Sequence, residues 1–143
     1  MSKLQKRLQE FMRDEELSQT AFAKLTGIFQ PNISDYINLG VEPNYDNFIK
    51  LINAMNCSAD YALGLTDIDS EETFLEPLPF GARLREILNQ KGISQERLKR
   101  ELPVSGSILY RWISGKALPY PSSLMRLAKY LDCSVDYLLG RLR

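Results

Sequence analysis

The sequence predicts an all-α protein made of two like domains in tandem, each of five short helices. Three observations lead there. First, the chain matches itself at an offset of 76, so that residues 7–65 lie over 83–141 without a gap. Arg7, Ser18, Gln19, Pro43, Cys57, Asp60, Tyr61 and Gly64 return as Arg83, Ser94, Gln95, Pro119, Cys133, Asp136, Tyr137 and Gly140. A period of this size is too long for a solenoid unit and suits a small domain. Second, the apolar residues recur at helical spacing (i, i+3, i+4), with no alternating stretch that reads as a strand. Third, serines and glycines stand where helices should start and stop.

The elements of the second repeat follow in order. Leu84, Ile87 and Leu88 form one stripe, and Gly92 ends that helix. Ser94 caps a second helix, carrying Leu98 and Leu102, which Pro103 stops. Ser105 caps a third, whose apolar face is Ile108, Leu109, Trp112 and Ile113 and whose end is Gly115. Pro119 and Pro121 shape the loop into a fourth, with Leu124, Leu127, Ala128 and Leu131; Ser134 caps a short fifth. The first repeat follows the same plan through Ser18, Gly27, Gly40 and Pro43. The domains are therefore expected at 1–65 and 80–143. Residues 66–79, with five acids and two prolines, read as an acidic linker, able to span roughly 45 Å if extended.

The formal net charge is zero, but it is unevenly distributed. Residues 80–143 hold 12 Lys/Arg against 5 Asp/Glu, whereas residues 1–65 hold 6 against 8. Such asymmetry points to a polyanion partner for the basic half. The chain has no histidine, which excludes Ser-His-Asp and Cys-His catalysis and histidine zinc sites. No phosphate-cradling glycine loop is present. An EF-hand loop starting at Asp67 would need glycine at Glu72 and glutamate at Leu78. Cys57 and Cys133 read as small buried core residues. No enzyme activity, cofactor or metal is expected. With no apolar leader after Lys3, Lys6 and Arg7 and no membrane span, a cytoplasmic protein is expected.

The informative segments are Ser18–Asn38 and Ser94–Ser114, each a capped helix, a short turn and a second helix with an apolar stripe. That arrangement is a helix-turn-helix. The Ser-Gln pair opening helix two, the aromatic late in helix three (Tyr36, Trp112), the following proline and the closing CSxDYxLG resemble the lambda-repressor-like (XRE/Cro-like) helix-turn-helix family. The resemblance covers nearly all of the chain outside the linker. It implies two five-helix lambda-repressor-like domains in tandem and a sequence-specific regulator of transcription, often a repressor, that binds double-stranded operator DNA. Helices about 30–38 and 106–114 would enter the major groove.

On this reading the buried stripes (Ile33, Tyr36, Ile37; Leu109, Trp112, Ile113) leave Gln30, Pro31, Ser34, Asp35 and Asn38 outward in the first copy, with Asn32 a further readout candidate beside Gln30. They leave Gly106, Ser107, Tyr110, Arg111 and Ser114 outward in the second, beside Ser105. Gln30 suits adenine, Arg111 guanine and Asp35 the amino group of cytosine. The resemblance places Gln19 and Gln95 on backbone phosphate at the start of helix two. Lys116, Arg97, Lys99 and Arg100 are further phosphate candidates. The copies are unequal: Asp35 stands where the second has Arg111, Leu39-Gly40 where it has Gly115-Lys116, and Phe29 where it has the capping Ser105. The second domain is therefore expected to anchor DNA. The first adds readout or binds a protein instead, as an antitoxin-like or co-regulator module would. A homodimer in which only one repeat touches DNA is a further arrangement.

Overall fold

The computed structural model describes every residue except Glu71, one of the five linker acids, which lies outside the described residues. Helices alone make up its regular structure, and among the described residues there is no strand. In the first unit these are α1 (Lys3–Asp14), α2 (Gln19–Thr26), α3 (Gln30–Ser34, continued by a π-helical segment Asp35–Leu39), α4 (Tyr45–Met55) and α5 (Ala59–Ala62). The second unit repeats them as α6 (Phe80–Lys91), α7 (Gln95–Glu101), α8 (Gly106–Ser114), α9 (Pro121–Leu131) and α10 (Val135–Leu139). The chain divides into two compact units, Met1–Glu72 and Thr73–Arg143.

The helix starts follow the serines. Ser18, Ser58, Ser94, Ser105 and Ser134 each accept a hydrogen bond from the backbone N–H three residues on. Helix ends follow the left-handed residues, with one informative substitution. The first helix of the second unit stops at Gly92, at φ 65°; its counterpart α1 stops at Glu15 followed by Glu16, at φ 53°. A glutamate there bears a Cβ penalty that glycine avoids.

Each unit closes around one apolar core. In the first, Leu8, Phe22, Ile28, Ile33, Tyr36, Ile37 and Leu51 pack together, with Phe11 tilted against Phe22 at a centroid distance of 5.7 Å. In the second, Leu84, Ile87, Leu98, Leu109, Trp112, Leu124, Leu127 and Leu138 are buried. Three expectations are corrected here. Ile108 is 45% exposed, and Ile113 and Cys133 are only half-buried. Helix α8 turns Leu109 and Trp112 inward, and Ile108 and Ile113 each lie roughly 70° from the centre of that stripe.

The first and last helices of each unit are joined by an arginine and a tyrosine. Arg7 stacks on Tyr61 at 3.9 Å from the ring centroid and donates from Nε to the Tyr61 carbonyl at 3.2 Å. Arg83 repeats this on Tyr137 at 4.4 Å, donating to its carbonyl at 3.0 Å from Nε and 2.8 Å from Nη2.

The segment read as a solvated linker is held at both ends. Arg7 reaches Asp67 at 3.3 Å. Downstream, Leu75 N–H donates to the Arg141 carbonyl at 2.9 Å and Leu78 N–H to the Leu139 carbonyl at 3.0 Å. Arg141 lies 4.4 Å from the Phe74 ring centroid and pairs with Asp136 at 2.6 Å, both side chains 2% exposed. Backbone donors of this segment thus satisfy carbonyls at the end of α10, and the segment is not an extended tether over its full length.

Where α6 crosses α8, a Cβ on Gly81 would lie 2.7 Å from the Trp112 carbonyl oxygen and closer still to that of Ile113. Gly81→Ala is expected to destabilise the second unit by about 3 kcal/mol, because the obstacle is backbone. Glu16→Gly is expected to stabilise the first by ~0.5–1 kcal/mol through relief of the left-handed strain. Urea denaturation of each variant checks both signs.

Candidate nucleic-acid interface

Helix three of each unit carries the candidate surface, and its two copies are built differently. In the second unit α8 begins cleanly: Ser105 Oγ accepts from the Ile108 N–H at 3.1 Å and lies 3.2 Å from Ser107 Oγ. It ends at Gly115, φ 79°, with the Gly115 N–H bonded to the Trp112 carbonyl and the Lys116 N–H to that of Arg111. In the first unit Phe29 offers no side-chain cap, and Pro31 occupies the first turn, where its missing N–H is harmless.

The left-handed glycine of the first copy, Gly40, comes one residue later in the repeat than Gly115. The extra residue is taken up within the helix as the π-helical segment, and the loop to Pro43 is shorter by that residue. The Val41 N–H bonds the Asp35 carbonyl, as its counterpart Ala117 N–H bonds that of Arg111, so the Ile37 carbonyl takes no donor from the chain that follows it. Two glutamines fill the gap: Gln5 and Gln9 donate to the Ile37 carbonyl at 3.0 and 2.9 Å. In the second unit the counterpart of Gln5 is Gly81, which approaches Ile113, the counterpart of Ile37.

Of the first-copy candidates, Gln30 and Asp35 are exposed, and Asn32 and Ser34 are half-buried. Gln19 is turned inward to a neighbour: it donates to Asn38 at 3.3 Å, and Asn38 donates to Ser34 Oγ at 3.1 Å. This chain crosses the face that would meet bases and occupies three polar groups with one another. At the two ends of this helix Phe29 and Leu39 are each 73% exposed, and Val41 beyond it is exposed as well.

In the second unit Gln95, Ser105, Ser107, Tyr110, Arg111 and Lys116 are all exposed. The Lys116 ammonium lies 5.4 Å from the Tyr110 ring centroid, which draws these two together at one end of α8. Helix α7 supplies Arg97, Lys99 and Arg100. Arg97 is tied to Glu101 at 2.5 Å, and Tyr130 donates to the same carboxylate at 3.1 Å. Hydrogen bonding to Arg97 holds the Glu101 carboxyl below its ordinary range and raises the guanidinium above its own. Burial raises the Tyr130 phenol, with the bond to Glu101 adding to it. Arg97 is thus engaged within its own helix face, while the Lys99 side chain lies against Gly106 at the start of α8. The sequence signal for the first-copy polar chain and for the Arg97–Glu101 pairing is weak, since many rotamers satisfy the same spacing.

The charge asymmetry sharpens when the units are taken as folded. Met1–Glu72 holds 6 Lys/Arg and 12 Asp/Glu, a formal −6, and Thr73–Arg143 holds 12 and 6, a formal +6.

Two tandem five-helix units, each with a helix-turn-helix at the same place, define the class. A helix-turn-helix family model matches residues 8–61 and 84–138, and the chain belongs to that family, of the lambda-repressor-like kind. Among curated proteins it is similar to an HTH-type transcriptional activator, BcrR, of Enterococcus faecalis, at 32% identity over 63 residues. That match covers 44% of this chain and 31% of the relative, so it spans about a third of the relative's length. No solved structure matches the chain. The family membership carries DNA-binding transcription regulation as its general role.

Phe29→Ser is expected to stabilise the first unit by about 1 kcal/mol, by supplying the missing cap to α3. A thermal melt of the full chain checks it; an unchanged or lowered midpoint would show that Phe29 is held by packing rather than merely exposed.

Proposed function

We propose that the chain is a sequence-specific double-stranded DNA-binding transcriptional regulator, acting as a repressor, whose second unit is its main phosphate anchor. The observation that carries this is the +6 charge of the second unit together with exposed Arg111 and Lys116 at its helix three. Phosphate neutralisation supplies most sequence-independent affinity, so the basic unit dominates binding. Arg111 reads guanine through two parallel bonds, with Ser107 and Tyr110 beside it. Ser105 and Lys116 hold backbone at the two ends of α8, and Gln95 does so at the start of α7. In the first unit Gln30, Asn32, Ser34 and Asp35 supply the readout, with Gln19 placed for phosphate once released from Asn38. Occupying the operator is enough to block transcription and requires no further domain. The role is binding rather than catalysis, with no cofactor, in the cytoplasm. No helix among the described residues is long and apolar enough to cross a membrane.

A second reading has its own observation. Phe29, Leu39 and Val41 are exposed at the ends of helix three of an acidic unit, which suits an apolar protein surface better than phosphate. In that reading the first unit binds a protein partner, or a second copy in a homodimer, while the second binds DNA.

Fluorescence anisotropy with DNA from upstream of the chain's own gene tests the anchor. Arg111→Ala is expected to weaken binding by roughly 5- to 150-fold, the range of a good bidentate base contact. Lys116→Ala is expected to weaken binding to all sequences alike and to lower the log–log salt slope by about 1. Unchanged affinity in the double variant would remove the anchor from the second unit. Capture of a protein, and not DNA, through the first unit's helix three would support the second reading.

A further inference from the structure

We propose that Lys99 of α7 is a base-reading residue of the second unit, taking a guanine at the place in the repeat where the first unit presents Gln30; this rests on the DNA-binding reading above. Gly106 opens α8, is exposed, and brings no side chain to that place. A Cβ built on it would lie 3.2 Å from Cδ, 3.4 Å from Nζ and 3.7 Å from Cε of Lys99. The end of the lysine therefore stands where a side chain of residue 106 would begin. Gly106 is not among the glycines at positive φ, so its backbone does not require glycine. What the missing Cβ provides is room for the lysine.

The first unit makes the opposite choice. There the counterpart of Lys99 is Ala23, only 8% exposed, and the counterpart of Gly106 is Gln30, which is exposed. Each unit thus brings one polar side chain to the start of helix three, from that helix in the first and from the helix before it in the second. The lysine is available for this: its side chain is 47% exposed, and its ammonium lies 3.9 Å from Glu96, whose side chain is 83% exposed. An ion pair this open is worth little and yields to a better partner. The carboxylate beside it also offsets the positive charge, which lowers its pull on phosphate and leaves its N–H donors for a base edge. Lysine donates to guanine O6 and N7 in the major groove. Gly106 and Arg111 are five residues apart, roughly 7.5 Å along the helix. The guanine of Lys99 then lies about two base pairs from that of Arg111.

Full-length wild type and variants are each used to select bound duplexes from a random pool. Preferences are then measured by anisotropy on the selected site, changing one base pair at a time. The wild type is expected to prefer two guanines about two base pairs apart. Lys99→Ala is expected to lose the preference at one of them, a fall in discrimination of roughly 5- to 150-fold, and Arg111→Ala at the other. Lys99→Met, which keeps the stem over Gly106 and removes the ammonium, is expected to relax the same position as Lys99→Ala. Adding Gly106→Gln to Lys99→Ala is expected to restore a preference there, now for adenine. Unchanged preference in both Lys99 variants would overturn the proposal. So would equal weakening on every sequence with the preferences kept, which would put Lys99 on phosphate. If the wild type enriches no sequence, the DNA reading falls together with this one, a result distinct from either of those.

Discussion

The joint between the first and last helix of each unit is the constraint on which the rest depends. A guanidinium stacked on a tyrosine and bonded to that tyrosine's own carbonyl fixes two elements 54 residues apart in the chain. The last helices are short, four residues in α5 and five in α10, and too brief to persist alone. Arg7 and Arg83 hold them in place and so close each small core. With closure secured at that end, helix three at the other face is free to change its chemistry. The two copies show both results: the same joint in each, and opposite charge on the surfaces that joint supports.

Divergence at helix three goes beyond side chains. The terminal glycine is displaced by one residue, the end of the first copy's helix is a π-helical segment, and two glutamines from α1 donate to the Ile37 carbonyl within it. The second copy uses the corresponding place for close helix approach through Gly81. A buried carbonyl without a partner would cost about 1–3 kcal/mol, so Gln5 and Gln9 are part of how the altered helix is tolerated. The outcome is a first-copy face crossed by Gln19, Asn38 and Ser34 and edged by Phe29 and Leu39, against a second-copy face with Arg111 and Lys116 outward.

Much of the fold is legible in the sequence because helix boundaries are local. A serine whose hydroxyl meets an N–H three residues on, or a glycine at positive φ, needs no knowledge of tertiary structure. What escaped the sequence is set by partners far away. Arg7 and Tyr61 were visible as repeated residues, yet nothing in their spacing says that they stack. Ile108 and Ile113 fit the apolar period of α8, but a nine-residue helix on a small core hides only a narrow stripe. The acids and prolines of 66–79 suggest a free linker, whereas Phe74, Leu75 and Leu78 are captured by the end of α10. At the candidate site, the charge contrast between Asp35 and Arg111 was legible. The polar chain on the first face and the π-helical segment beneath it were not.

The central claim is that one fold was duplicated and that DNA is held chiefly by the second copy. Hydrogen exchange of the full chain, with and without its operator, tests this directly. Slowed exchange on DNA binding is expected across residues 105–117 and the start of α7, with little change across residues 29–41. Equal protection of both segments, or protection confined to the first, would contradict it.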